Sequence, residues 1–130
     1  MIVDTSAIIA ILYAEPEAAA FAEAIKGAGT RRISAVSYVE AAVVIDSARD
    51  AIASRRFDDL FRASHIQMEP VTPQQAELAR QAYRDFGKGR HKAKLNLGDC
   101  FAYALAKEMD EPLLYKGRDF VHTDVEAAEF

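Results

Sequence analysis

The chain has 130 residues, of which 51% are hydrophobic, and a formal net charge of −4. That length predicts one domain, residues 1–130, with enough apolar matter for a real core. The acidic balance excludes a uniformly basic nucleic-acid binder, no apolar run approaches the ~20 residues of a membrane span, and Cys100, the single cysteine, excludes an intramolecular disulfide. No basic stretch followed by a long apolar one opens the chain, so a reducing cytoplasm is the expected setting.

Ile2 and Val3 are β-branched and suit a short buried strand, which ends at Asp4. Asp4, Thr5 and Ser6 are helix-start residues, and Thr5 to Ala14 reads as a short helix. Pro16 restarts a helix that continues from Ala18 to Ile25, and Gly27-Ala28-Gly29 stops it. Arg31 to Ser34 is a short strand candidate. Ser37 is expected to cap a helix running through Ser47, with Glu40 three residues on as in a capping box. Asp50 to Ser64 reads as helix, Ile66 to Val71 as strand, and Thr72-Pro73 as the start of a helix ended by Gly87. Lys88 to Lys94 is a basic loop, Asn96 opens a helix through about Met109, and Leu113 to Tyr115 is a short strand. Short strands alternating with helices and helix pairs predict an α/β fold, a mostly parallel short-stranded sheet with helices on both faces.

Four acids fall at the places where such folds build sites. Asp4 stands at the carboxyl end of the first strand, although a lone Asp there is also an ordinary N-cap. Glu40 has Val36, Val43 and Val44 among its helical neighbours, so it belongs to an apolar face, where an unpaired carboxylate is costly. Asp99 is the third helical residue if Asn96 is the N-cap, a position the helix dipole favours for an acid. Gly98 and Ala102 leave its surroundings open to close approach. Asp119 follows the last strand, with Asp124 five residues on as an alternative; either is also a plausible turn acid. Four converging carboxylates repel one another unless cations neutralise them. Mg²⁺ or Mn²⁺ fits an oxygen-only set, polarises a phosphoryl group and activates water near neutral pH. His65, His91 and His122 lack zinc spacing, no Gly-rich phosphate loop is present, and Cys100 reads as a small core residue rather than a nucleophile.

Arg80, Arg84, Lys88, Arg90, Lys92 and Lys94 face one acid, Asp85, in their interval, and the run leads straight to Asn96 and Asp99. It is either a solvated loop or one that contacts a nucleic-acid phosphate backbone, with Lys88, Arg90, Lys92 and Lys94 as the binding candidates.

Ile2-Val3-Asp4-Thr5-Ser6-Ala7, Ser37-Tyr38-Val39-Glu40, Leu97-Gly98-Asp99-Cys100 and Lys116-Gly117-Arg118-Asp119-Phe120 resemble the ordered motifs of the PIN-domain ribonucleases. The resemblance spans almost the whole chain, and the Gly98-to-Ala106 run most resembles the VapC-type toxins of bacterial toxin–antitoxin pairs. It implies a PIN-like three-layer sandwich and a Mg²⁺- or Mn²⁺-dependent endoribonuclease. That enzyme would be usually a homodimer, held inactive by a small antitoxin, with RNA as substrate and no membrane. It carries the metal ligands and catalytic acids over to Asp4, Glu40, Asp99 and Asp119, with Ser6 assisting. The last motif departs from many relatives, which have Thr or Asn before the fourth acid where this chain has Lys116-Gly117; hence the choice between Asp119 and Asp124. Two other classes stand beside this reading. One is a receiver-like signalling module, against which Glu69-Pro70 counts; the other is an inactive PIN fold that only binds. The helices of Thr5 to Ala14 and Pro16 to Ile25, rich in Ala and Ile, are expected to offer a partner helix an apolar groove.

Overall fold

The computed structural model describes residues 1–130. Four strands, β1 (Ile2–Val3), β2 (Arg32–Ser34), β3 (Gln67–Glu69) and β4 (Leu113–Leu114), form one sheet in the order β3-β2-β1-β4, and every pairing is parallel. Between them run α1 (Thr5–Leu12), α2 (Ala18–Gly27), α3 (Ala35–Asp46), α4 (Ala51–Ser64), α5 (Pro73–Phe86) and α6 (Leu97–Met109). A short 3₁₀ turn, Phe120–His122, follows β4. This is the α/β architecture the alternation of elements predicts.

The order of the strands explains the layers. Crossovers between parallel strands are right-handed. The chain steps from β1 to β2 to β3 in one direction, so α1–α2 and α3–α4 lie on one face. It then returns past β1 to β4, so α5 and α6 lie on the other. The two cores follow the strand alternation. Ile2 and Leu113 pack with Ala79, Ala82, Cys100 and Leu105 of α5 and α6. Val3, Ile33 and Leu114 pack with Ile8, Phe21, Ile45 and Phe57 of α1 to α4. The direction reverses between β1 and β4, and crevices at such switch points are where ligands bind in open α/β sheets.

Most helix ends follow the sequence. Asp50 accepts from Ile52 N at 3.0 Å, and Thr72 from Gln75 N at 3.1 Å ahead of Pro73. One end does not. The N-cap of α3 is Ser34, whose hydroxyl accepts from Val36 N at 3.2 Å. Ser37 lies inside the helix, fully buried, its hydroxyl without a partner. Glu40 is therefore not half of a capping box and is released for other work. Its apolar neighbours are not core either: Val39, Val43 and Val44 are 56%, 60% and 41% exposed. With Thr5, Val36 and Glu40 they line an open groove of about 680 Å³. The groove expected along α1 and α2 is smaller, about 220 Å³, and it uses Leu60 and Ala63 of α4 as a wall facing Ile11, Ala22 and Ile25. No helix is long and apolar enough to cross a membrane.

Candidate active site

Asp4 caps α1 as it leaves β1. Its Oδ2 accepts from Ser6 N at 3.0 Å and from the Ser6 hydroxyl at 2.6 Å, and the residue is only 4% exposed. Burial raises its proton affinity despite those donors, and the charge of Asp119 adds to the rise. The Ser6 hydroxyl in turn accepts from Lys116 N–H at 2.9 Å. The first acid is thus tied to the chain just past β4. The Lys116 ammonium pairs with Glu15 and, at 3.1 Å, with Glu17, in the connection between α1 and α2. Lys116, which departs from the family motif and could also be the lysine of a receiver-like module, braces the loop that carries Asp119.

Glu40 reaches the same place from α3. Thr5 Oγ1 stands 3.0 Å from Ser37 O and 3.4 Å from Glu40 Oε1, so its one proton serves chiefly the carbonyl. The Glu40 carboxylate lies against the α carbon of Gly98 in the first turn of α6: a Cβ built there would overlap Oε1, Cδ and Oε2. The space beside Asp99 that the sequence leaves open is filled by another acid of the site. Half-burial raises the proton affinity of Glu40, Asp4 adds to it, and the Thr5 hydroxyl opposes it.

Asp99 serves two ends. It completes a capping box with Asn96, donating its N–H to Asn96 Oδ1 at 2.8 Å and accepting from Asn96 N at 3.0 Å through Oδ2. Its Oδ1 makes no hydrogen bond. Burial pushes its pKa up to about 7; the Asn96 amide opposes the shift, and the charges of Asp4, Asp119 and Glu40 increase it. Asp119 is exposed in the turn before the 3₁₀ segment and exerts its charge on both Asp4 and Asp99. The structure therefore brings Asp4, Glu40, Asp99 and Asp119 together, with Ser6 beneath Asp4.

Asp124 is elsewhere. It accepts from the Tyr103 hydroxyl at 2.5 Å and pairs with Lys107 at 3.1 Å, and these donors lower its proton affinity. Cys100 is buried, and burial together with the Asp99 charge pushes its thiol up to about 11, the reverse of an activated nucleophile. Lys88, Arg90, Lys92 and Lys94 are exposed on the loop closed by Gly87 and Leu95, and none pairs with an acid. The Arg90 guanidinium lies 5.4 Å from the Tyr83 ring centre.

The donor set suits a hard divalent cation. It is oxygen-only and rich in negative charge, and every shifted acid in it resists ionising alone. No three His, Cys, Asp or Glu side chains stand close enough to grip one ion directly. A divalent ion here would be reached partly through waters, which hard cations keep in their shell. Thr5, Gly98 and Lys116 were not singled out as site residues by sequence reasoning. Lys116 and Gly98 act on acids far away in the chain, and no local spacing signals that.

Fold and site together define a parallel α/β protein whose first acid, Asp4, stands at the carboxyl end of β1, where the strand order reverses, within electrostatic reach of Glu40, Asp99 and Asp119. Residues 1–126 match the PIN domain family. Over 129 residues the chain is 57% identical to ribonuclease VapC28 of Mycobacterium tuberculosis, covering 98% of this chain and 97% of that protein. The chain belongs to the PIN-domain family and, within it, to the VapC ribonucleases. Two solved structures share the fold. One is Mycobacterium tuberculosis VapC20, described as a toxin cleaving the sarcin–ricin loop. Its TM-score is 0.70 at 17% identity, with 95% of each chain covered. The other belongs to a toxin–antitoxin complex from Klebsiella pneumoniae. Its TM-score is 0.71 at 19% identity, covering 95% of this chain and 92% of that one.

Proposed function

We propose that residues 1–130 form one PIN unit that cleaves RNA phosphodiesters internally, with Mg²⁺ or Mn²⁺, as the toxin of a toxin–antitoxin pair. The observation that carries the reading is the gathering of four acids from four separate stretches of a chain 57% identical to a named ribonuclease. Asp4, Glu40, Asp99 and Asp119 would hold the ion. When bound, it would supply neutralising charge, polarisation of a phosphoryl oxygen and a more acidic water. The chain's own residues do the rest. Ser6 orients Asp4 by donating to Oδ2, Asn96 fixes Asp99 and leaves its Oδ1 open, and Lys116 braces the Asp119 loop. Lys88, Arg90, Lys92 and Lys94 take backbone phosphates without reading sequence.

Two protein partners fit the surface. A small antitoxin lays an amphipathic helix in the groove of Ile11, Ala22, Ile25 and Leu60. A second copy of the chain covers the exposed valines of α3, an apolar patch beside the acids that favours burial. The setting is the cytoplasm.

The test is cleavage of a single-stranded RNA by purified protein, stripped of metal by chelation and then resupplied. Activity is expected with Mg²⁺ or Mn²⁺ and none in EDTA. Asp4→Asn should lose at least about 100-fold in either ion, the scale of removing a group that stabilises transition-state charge. Equal cleavage with and without chelator, or full activity in Asp4→Asn, refutes the reading. A wild-type protein that folds but never cleaves is the inactive binding relative.

A further inference from the structure

Glycine at position 98 has no conformational reason to be there. Gly98 is the second residue of α6, with Asn96 as N-cap, and its backbone is helical without a positive φ. Any L-residue adopts that geometry, and alanine stabilises a helix better than glycine does. Nor is the site a close approach between backbones. All three of the nearest atoms that a Cβ would meet at Gly98 belong to the far end of one flexible side chain, the carboxyl group of Glu40. At Gly87, by contrast, the atom nearest to a Cβ is a backbone oxygen, Tyr83 O.

We propose that Gly98 is a positioning residue for Glu40: its missing side chain is the seat that holds the Glu40 carboxylate against the first turn of α6, one residue from Asp99. The functional arm of this inference rests on the nuclease reading above. Glu40 has three side-chain torsions, and its α3 surroundings are open on the side of Val39, Val43 and Val44. A methyl group at 98 therefore displaces the carboxylate through those torsions rather than moving either helix. Thr5, at 3.4 Å, is the one side-chain donor left to restrain it, and it serves Ser37 O first. The acid set loses a member while the fold keeps its helices and gains a better helix former.

Four proteins test this: wild type, Gly98→Ala, Glu40→Gln and the double variant. Expected for Gly98→Ala is a melting temperature unchanged or raised by up to about 5 °C, together with kcat/KM for RNA cleavage lowered by about 10–100-fold, the scale of disturbing the support of a metal site. In the Glu40→Gln background the same change should cost no further activity, because residues acting as one unit are not additive. A readout free of ion and substrate is the ¹³C resonance of the Glu40 side-chain carboxyl. It should move in metal-free Gly98→Ala, while that of Glu69, paired with Arg32 across β2 and β3, should not. Full activity in Gly98→Ala, an equal loss in both backgrounds, a melting temperature lower by several degrees, or an unmoved Glu40 resonance each overturns the proposal. If wild type cleaves nothing with either ion, the nuclease reading falls, and the resonance still decides whether Gly98 seats Glu40.

Discussion

Ser6 is the residue on which the first acid depends. Its hydroxyl donates to Asp4 Oδ2 at 2.6 Å and accepts from Lys116 N at 2.9 Å, so one oxygen links the end of β1 to the chain after β4. Ser6→Ala removes both bonds and leaves the Lys116 N–H and a nearly buried carboxylate each short of a partner. Orphaned buried polar groups cost about 1–3 kcal/mol. Support residues of metal sites cost about 10–100-fold in affinity or activity. Ser6→Ala is thus expected to lose about 1–3 kcal/mol in urea unfolding, and its cleavage rate should fall in the same sense. Ser6→Thr, which keeps the hydroxyl, should retain most of both. Wild-type stability and rate in Ser6→Ala would show that the link is not used. The local part of this arrangement was legible in sequence: a β-branched pair, then Asp, Thr and Ser, marks a strand end and a helix start. The partner at Lys116 was not, because 110 residues separate it from Ser6 and only the folded sheet, pairing β1 with β4, joins them.

Among the elements, the parallel strands and most helices could be read from apolar runs, caps and Pro-Gly punctuation, whose causes are local. Asn96 with Asp99 is the clearest case, a capping box formed within four residues. Where a helix start depends on where a strand ends, the local sequence misleads, and Ser37 is the wrong cap for α3. Ser34 and Ser37 both precede the apolar stretch of α3, and the structure uses Ser34 because β2 already ends there. That three-residue shift moves Glu40 from a capping role to the second turn of α3, facing α6. Side-chain space between elements leaves no local trace at all, and the two close-packed glycines show it. Gly87 ends α5 with its N–H on Tyr83 O at 2.8 Å, and the loop of Lys88 to Lys94 closes on it through Lys88 N to Leu95 O and Leu95 N to Phe86 O, both 2.9 Å. A Cβ at 87 meets that same Tyr83 carbonyl oxygen and the Tyr83 ring. Backbone cannot swing aside as a glutamate can. Gly87→Ala should therefore destabilise by about 1–3 kcal/mol, the scale of overpacking, and speed amide exchange at Leu95, whereas Gly98→Ala should not destabilise at all. Wild-type stability in Gly87→Ala would mean that the end of α5 yields more readily than its hydrogen bonds suggest.

At the scale of the whole molecule, the site sets how stability responds to pH. Asp4, Glu40 and Asp99 all bind protons more tightly folded than unfolded, and Asp99 is moved from an ordinary 3.8 up to about 7. Between about pH 4 and pH 7 the unfolded chain has released protons that the native site still holds. Stability without metal consequently falls as pH rises through that window, and the loss is complete above the folded pKa. Glu17, Glu111 and Asp124 are shifted down and act in the opposite sense, but the stability they add on ionising is already gained near their ordinary values of 4.5, 4.5 and 3.8. From about pH 5 upward the site acids dominate. A bound divalent cation reverses the trend, because it binds the ionised native site and stabilises it by mass action. Melting temperatures measured from pH 5 to pH 8 should therefore decline in EDTA and decline less, or rise, in Mg²⁺ or Mn²⁺. Asp99→Asn should flatten the EDTA curve above pH 5 by removing a group that titrates inside that window, and it should narrow the gap between the two curves. A metal-free stability that climbs steadily from pH 5 to pH 8 would mean that the acids are solvated and ionised independently, and it would remove the electrostatic reason for a cation at this site.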